Sequence, residues 1–225
     1  MKRFIGAVII AISSLFAMPI ASSAAEGDSA QGTPCNGTIP PGVYEDVVVP
    51  ANAICFLHPD TVVTHDIYLE QNAYLFTNGT PVGHDIKSVA PTGYIQTIGT
   101  TVGHDIHFQG PGGGVTICST SVGHDVIVEQ AINYDAVVGG GVGCGGNVIQ
   151  HDLKVLNSTA AIATIDNQVG HNLELINNEG PGGAPSGVKT VLRNTIGHAL
   201  VCLDNNPPPV SAGNTAENYV GQCQA

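Results

Sequence analysis

Positive charge is what this chain most conspicuously lacks: 225 residues carry six lysines and arginines against eighteen acids. So little basic surface excludes a nucleic-acid groove or a patch for anionic lipid. It also leaves few salt bridges, so apolar burial and backbone ladders must hold the fold. Cys-x-x-Cys pairs are absent, which argues against a thiolate metal site. Neither a Gly-x-Ser-x-Gly elbow nor a His-Glu-x-x-His helix occurs. Beyond the first residues, no run is long and apolar enough to span a bilayer.

The one long apolar run opens the chain. Lys2 and Arg3 form a basic start, Phe4 to Ile20 is largely apolar, and Ala21-Ser22-Ser23-Ala24 supplies small residues for cleavage. This is the pattern of a secretory signal peptide over 1–24, cut after Ala24 or Ala25; an uncleaved anchor is the alternative. Cleavage leaves Lys87, Lys154, Lys189 and Arg193 against all eighteen acids, a net charge of about −14. All six cysteines lie in the exported part, where an even count favours disulfides. Fifteen connectivities are possible, and the sequence neighbours are preferred: Cys35–Cys55, Cys118–Cys144 and Cys202–Cys223. The first and last would pin the two ends.

What the chain has in abundance is one repeated phrase. An apolar residue, any residue, histidine, a polar or small residue and an apolar residue recur around His65, His84, His104, His124, His151, His171 and His198. The spacings are 19, 20, 20, 27, 20 and 27. Glu45 stands in the histidine's place in an eighth, degenerate copy. Two residues before each histidine stands a β-branched residue; two after stand Ile67, Ile86, Ile106, Val126, Leu153, Leu173 and Leu200. Four after, the column is apolar except at Ser88. Period-two alternation rich in β-branched residues reads as strands. A fixed short period reads as a solenoid. The expectation is an all-β, right-handed parallel β-helix of about eight coils of roughly twenty residues. The two longer steps carry the glycine-rich stretches 139–146 and 180–187, read as loops. The expected organisation is an N-terminal cap over 25–41, the solenoid over 42–204 and a disulfide-bearing cap over 205–225.

Two polar columns accompany the beat. Asp46, Asp66, Asp85, Asp105, Asp125, Asp152 and Asn172 follow the anchor position. A bend there calls for positive φ, which His, Asp or Asn tolerate, and an adjacent carboxylate can accept backbone N–H groups. Thr61, Thr80, Thr100, Thr120, Asn147, Asn167 and Asn194 stand four residues before each histidine and are expected to hydrogen-bond to one another between coils.

The seven histidines would form a column with rings roughly 5 Å apart. Facing outward, adjacent rings offer ligands for Zn²⁺, Cu²⁺ or Ni²⁺; duplication of one coil would also produce the column without a ligand role. No catalytic residue is nominated. Asp60, Asp135, Asp166 and Glu179 are scattered, and Arg193 is the sole arginine after cleavage, so acidic polysaccharide cleavage finds no support.

The strand-bend-strand unit is similar to the repeat of bactofilins, polymer-forming right-handed β-helices. The chain more closely resembles a group of exported, uncharacterised bacterial β-solenoids with Val-x-Gly-Asn/Asp-Leu/Val coils. Their C-terminal signature matches Leu200-Val201-Cys202-Leu203-Asp204-Asn205-Asn206-Pro207 and Gly221-Gln222-Cys223. That resemblance spans roughly residues 35–223 and implies the fold without lending an activity. The departure is histidine where those chains have glycine. Taken together, the residues suggest a non-enzymatic, secreted or periplasmic scaffold or binding surface without bound cofactor. Self-association or a cell-surface partner would fit it; metal binding is the alternative, then a carbohydrate-binding or carbohydrate-active β-helix.

Overall fold

A computed structural model describes residues 31–88, 91–141, 143–180 and 189–224. The expected leader over 1–24 and nearly all of the loop 180–187 lie outside the described residues. Three parallel sheets wind around one apolar interior. The ten-stranded sheet starts at Thr33–Pro34, passes through strands such as Ile86–Ser88, Ile106–Gln109, Val126–Glu129 and Leu153–Leu156, and ends at Asn218–Gly221. The nine-stranded sheet runs from Gly37–Thr38 to Val210–Ala212, and the eight-stranded sheet from Gly42–Tyr44 to Thr195–Ile196. Among the described residues there is no α-helix, so none is long and apolar enough to cross a membrane.

The stack makes about nine turns, one more than the histidine beat counts. The extra coil escapes that count because the strands before Tyr44 carry no histidine. The segment before Pro41 and the tail after Asn205 both contribute strands that continue the sheets.

Register follows the sequence columns. Ile67 pairs with Ile86, then Ile106, Val126, Leu153, Leu173 and Leu200, each fully buried. Burying each such side chain contributes about 1.5–3 kcal/mol. Ser88, the polar exception, is also buried; it pairs with Phe108, the largest fully buried side chain, and its Oγ accepts the Gln109 N–H at 3.2 Å.

Disulfides join Cys35 to Cys55, Cys118 to Cys144 and Cys202 to Cys223, with Cα separations of 5.3, 5.6 and 5.4 Å. These bridges call for a non-reducing environment. The outer two each tie a terminal coil to its neighbour, while the middle one closes the base of the glycine-rich loop.

Each coil turns three corners by different means. After the ten-stranded sheet, left-handed residues such as Asn72, Gly110, Gln130 and Asn177 make the bend. After the nine-stranded sheet, Gly99, Ser119, Asp166 and Arg193 do so. The third corner carries His-Asp, and here the expectation of positive φ is overturned: neither the seven histidines nor the residues that follow them adopt it. Carboxylates brace this corner instead.

The Thr/Asn column is buried just past the second corner, and its two halves behave differently. The Asn147 amide donates to Asn167 Oδ1 at 2.9 Å, Asn167 to Asn194 at 3.0 Å, and Asn194 to Asn214 at 3.0 Å. The threonines do not bond to each other along the column. Thr80 donates to the His58 carbonyl, Thr120 to the Cys118 carbonyl, and Thr100 meets Thr77 Oγ1 at 2.8 Å. Two hydroxyls directly above one another stand about 4.8 Å apart, too far to bond, so each of these threonines takes a partner off the column, whereas a carboxamide spans the step.

Candidate functional site: the histidine–aspartate column

The His-Asp corner leads from the eight-stranded to the ten-stranded sheet. Backbone pairing sets its pitch: His84 N–H donates to the His65 carbonyl at 3.0 Å, and the same bond repeats through His198 to His171 at 2.9 Å. Glycine precedes most of these histidines because the coils touch there. A Cβ on Gly103 would lie 2.0 Å from the Gly83 carbonyl oxygen. Thr64 and Gln150 occupy the equivalent place in two coils.

The rings stack. Centroids of His84 and His104 are 4.9 Å apart at 4°, and those of His104 and His124 likewise. The file continues through His151 at 4.7 Å, His171 at 4.9 Å and His198 at 5.1 Å. At its N-terminal end His65 departs from the file, 5.7 Å from His84 and tilted by 39°.

Each ring makes its hydrogen bond to the preceding coil, and the aspartate beside it in sequence stands further off, at 3.4, 3.2, 3.6 and 3.7 Å for His84, His104, His124 and His151. Nδ1 of His84, His104, His124, His151 and His171 lies 2.9, 3.0, 2.9, 2.7 and 2.9 Å from Oδ1 of Asp66, Asp85, Asp105, Asp125 and Asp152. His198 meets Asn172 Oδ1 at 2.9 Å. The same oxygen also accepts the next coil's backbone N–H, as Asp105 does from Asp125 at 2.9 Å. One carboxylate therefore braces the corner above it twice. Asp46 accepts the Asp66 N–H at 3.0 Å, but His65 Nδ1 stands off at 3.5 Å.

Burial alone would raise these carboxyl pKa values, yet hydrogen bonds win. Asp66 is held well below the usual carboxylate range by Tyr68, the Asp85 N–H, Lys87 and His84. Asp85 is lowered, with bonds from the Asp105 N–H, Lys87 and His104 outweighing burial. For Asp152, Lys154, the Asn172 N–H and His171 outweigh burial and hold it at about 2. Asp66, Asp85 and Asp152 are thus charged at neutral pH. An ionised carboxylate only accepts, so Nδ1 must carry the proton. The neutral ring then keeps its lone pair on Nε2, the outward atom of a half-exposed side chain. For His124, the Asp105 hydrogen bond raises the imidazole pKa.

Lys87 Nζ bridges Asp66 and Asp85 at 3.0 and 3.1 Å, and Lys154 reaches Asp152 at 2.8 Å. Among the described residues, Asp105 and Asp125 pair with histidines alone. Four consecutive His-Asp-His sets, from His84-Asp85-His104 to His151-Asp152-His171, bring their ligand-type atoms within 4.8 Å of one another.

A second feature lies on the nine-stranded sheet and escaped the sequence reading. Phe56 stacks on Phe76 at 5.0 Å, and Tyr94 follows at 5.8 Å. Beside them an open recess of about 520 Å³ is lined by Tyr94, Gly113, Gly114, Asn133, Tyr134 and Asp135. Burial pushes the Asp135 carboxyl up. The sequence signal was the twenty-residue step from Phe56 to Phe76 and from Tyr74 to Tyr94. Of the other scattered acids, Asp166 takes Arg193 in a bidentate pair at 2.7 Å on an exposed corner. Compared with protein-family models, curated proteins and solved structures, the chain matches none.

Proposed function

We propose that the protein is a non-enzymatic scaffold, exported to the extracellular space or periplasm, whose working surface is the histidine–aspartate column. The carrying observation is the registered file of rings, six of which stack at 4.7 to 5.1 Å, each oriented by its own hydrogen bond. Three parallel sheets, with each terminal coil tied to its neighbour by a disulfide, give that file a rigid frame. The basic-then-apolar start and the three disulfides support export, and the likeness to exported solenoids ending in Gly221-Gln222-Cys223 points the same way.

Cell fractionation with mass spectrometry of the N-terminus tests this reading. The expected product begins after Ala24 or Ala25, sits outside the cytoplasm and runs as one monodisperse species. A full-length cytoplasmic chain, or substrate turnover that one substitution abolishes, would refute it.

The aromatic row favours a second reading, binding of a neutral glycan. Flat rings beside amide, hydroxyl and carboxyl groups suit a sugar's apolar face and hydroxyls. Glycan-array binding lost on Tyr94→Ala is the expected result; an array without signal removes it.

A further inference from the structure

Resting on the reading of the column as a presented surface, we propose that it captures Zn²⁺, Cu²⁺ or Ni²⁺ through Nε2 atoms taken in pairs from successive coils. The ring's inner nitrogen is committed to a carboxylate, which leaves Nε2 as the available ligand atom. Metal-binding histidines characteristically donate their other ring N–H to a carboxylate, which fixes the tautomer and raises ligand basicity. Here five successive rings already have that support, and His198 has the amide equivalent from Asn172. Imidazole nitrogen suits these borderline ions and not Ca²⁺ or Mg²⁺, which take oxygen. The row of carboxylates behind the rings attracts cations and offsets the ion's charge.

Spacing decides how many ions fit. With metal–nitrogen bonds of about 2.0–2.1 Å, two nitrogens on one ion lie about 3.4 Å apart in a tetrahedral arrangement and about 4.2 Å when opposed. Parallel rings repeat at 4.7 to 5.1 Å, so two neighbours must lean together to share an ion. A ring that leans one way leaves its other neighbour. Sites therefore form by pairing, with water completing the coordination, and seven rings accommodate about three ions. The natural pairs are His84 with His104, His124 with His151, and His171 with His198. This choice uses the closest contact, 4.7 Å, and omits the tilted His65. His107 stays outside, its Nε2 bonded to Glu129 at 2.8 Å.

Pairing along a line has a parity consequence. Removing His84, His124 or His171 splits the file into two odd runs and costs one ion. Removing His65, or removing His104, His151 or His198 with His65 then drawn onto His84 across 5.7 Å, leaves even runs that re-pair, and costs none. The test is equilibrium dialysis of the full exported chain against Zn²⁺ at about pH 7.5, with metal counted by mass spectrometry. The expected counts are about three for the wild type, one fewer for His124→Asn, and no loss for His104→Asn. Asp105→Asn keeps the count, because an amide oxygen already holds His198 in place. Ca²⁺ leaves the chain unloaded.

Several results overturn the proposal: no bound Zn²⁺, one ion per histidine, equal losses for His104→Asn and His124→Asn, or loss on Asp105→Asn, which would place the ion on the carboxylate side. Size-exclusion and circular dichroism separate the two failures. A folded, monodisperse chain that takes no metal defeats this inference and leaves the scaffold standing. An aggregated or misfolded wild type defeats the scaffold itself.

Discussion

Asn167 shows how much one side chain can hold in this protein. Its amide donates to the Val138 carbonyl and to Asn194 Oδ1, while its oxygen accepts both the backbone and side-chain N–H of Asn147, all buried. Asn167→Ala strands several of these groups, each costing about 1–3 kcal/mol. The expected loss is about 3 kcal/mol or more in urea unfolding, and a loss below about 1 kcal/mol would contradict the ladder's role. Asp152 offers a pH test in the metal-free protein. Its folded pKa, about 2, lies below the unfolded value of about 3.9. The unfolded chain binds the proton first as pH falls, so this contribution is intact above about pH 4 and disappears toward pH 2. Lys154→Met removes one of the bonds that depress the pKa, so the acid transition should move to higher pH. An unchanged transition would show that the carboxylate is held by its other donors alone. At this scale the sequence displayed both residues of the His-Asp pair but not their partnership, because each ring bonds to the aspartate some twenty residues upstream. The tautomer follows from that contact and has no linear signature.

At the scale of strands and bends, alternation made the sheets legible while the corners were read only in part. Gly and Asn bends fit the usual preference for left-handed backbone. Gln130, Arg193 and Ser119 have no such preference, yet they adopt φ of 56°, 53° and 51° because stacking dictates the corner. Holding a side chain there costs about 1–2 kcal/mol, against about 0.5–1 kcal/mol of extra chain entropy lost by glycine. Gln130→Gly should therefore raise stability slightly, by about 0.5 kcal/mol, measured by denaturant midpoint. A clear drop would mean that the Gln130 side chain contributes contacts of its own. The Thr/Asn column was legible as a file, but its bonding was not, since a hydroxyl and a carboxamide differ in reach. A second file, Ser158, Asn178, Asn205 and Gln222, lies at the corner after the ten-stranded sheet and went unread because Pro91, Pro111 and Ala131 hold its place in earlier coils.

Across the whole molecule, stability is a sum over neighbouring coils, and the terminal coils have one neighbour each. Cys35–Cys55 and Cys202–Cys223 tie those coils down. Reduction should raise amide exchange at Thr33, Cys35 and Asn218–Gly221 first, with the strands from Ile106 to Leu175 still protected. Uniform loss of protection would indicate that the bridges hold the entire stack. The architecture was the most legible level, since equal steps between histidines require like residues to align vertically; the terminal coils, which lack the beat, were not. The column depends on that vertical alignment carrying each stacked imidazole onto the aspartate or asparagine oxygen below it. A long-range ¹H–¹⁵N spectrum of the metal-free, ¹⁵N-labelled protein at about pH 8 tests it most directly. His84, His104, His124, His151, His171 and His198 should all show a protonated Nδ1 and a bare Nε2, with ring contacts between consecutive members. Protonated Nε2 on these residues, or no contact between His104 and its neighbours His84 and His124, would contradict it.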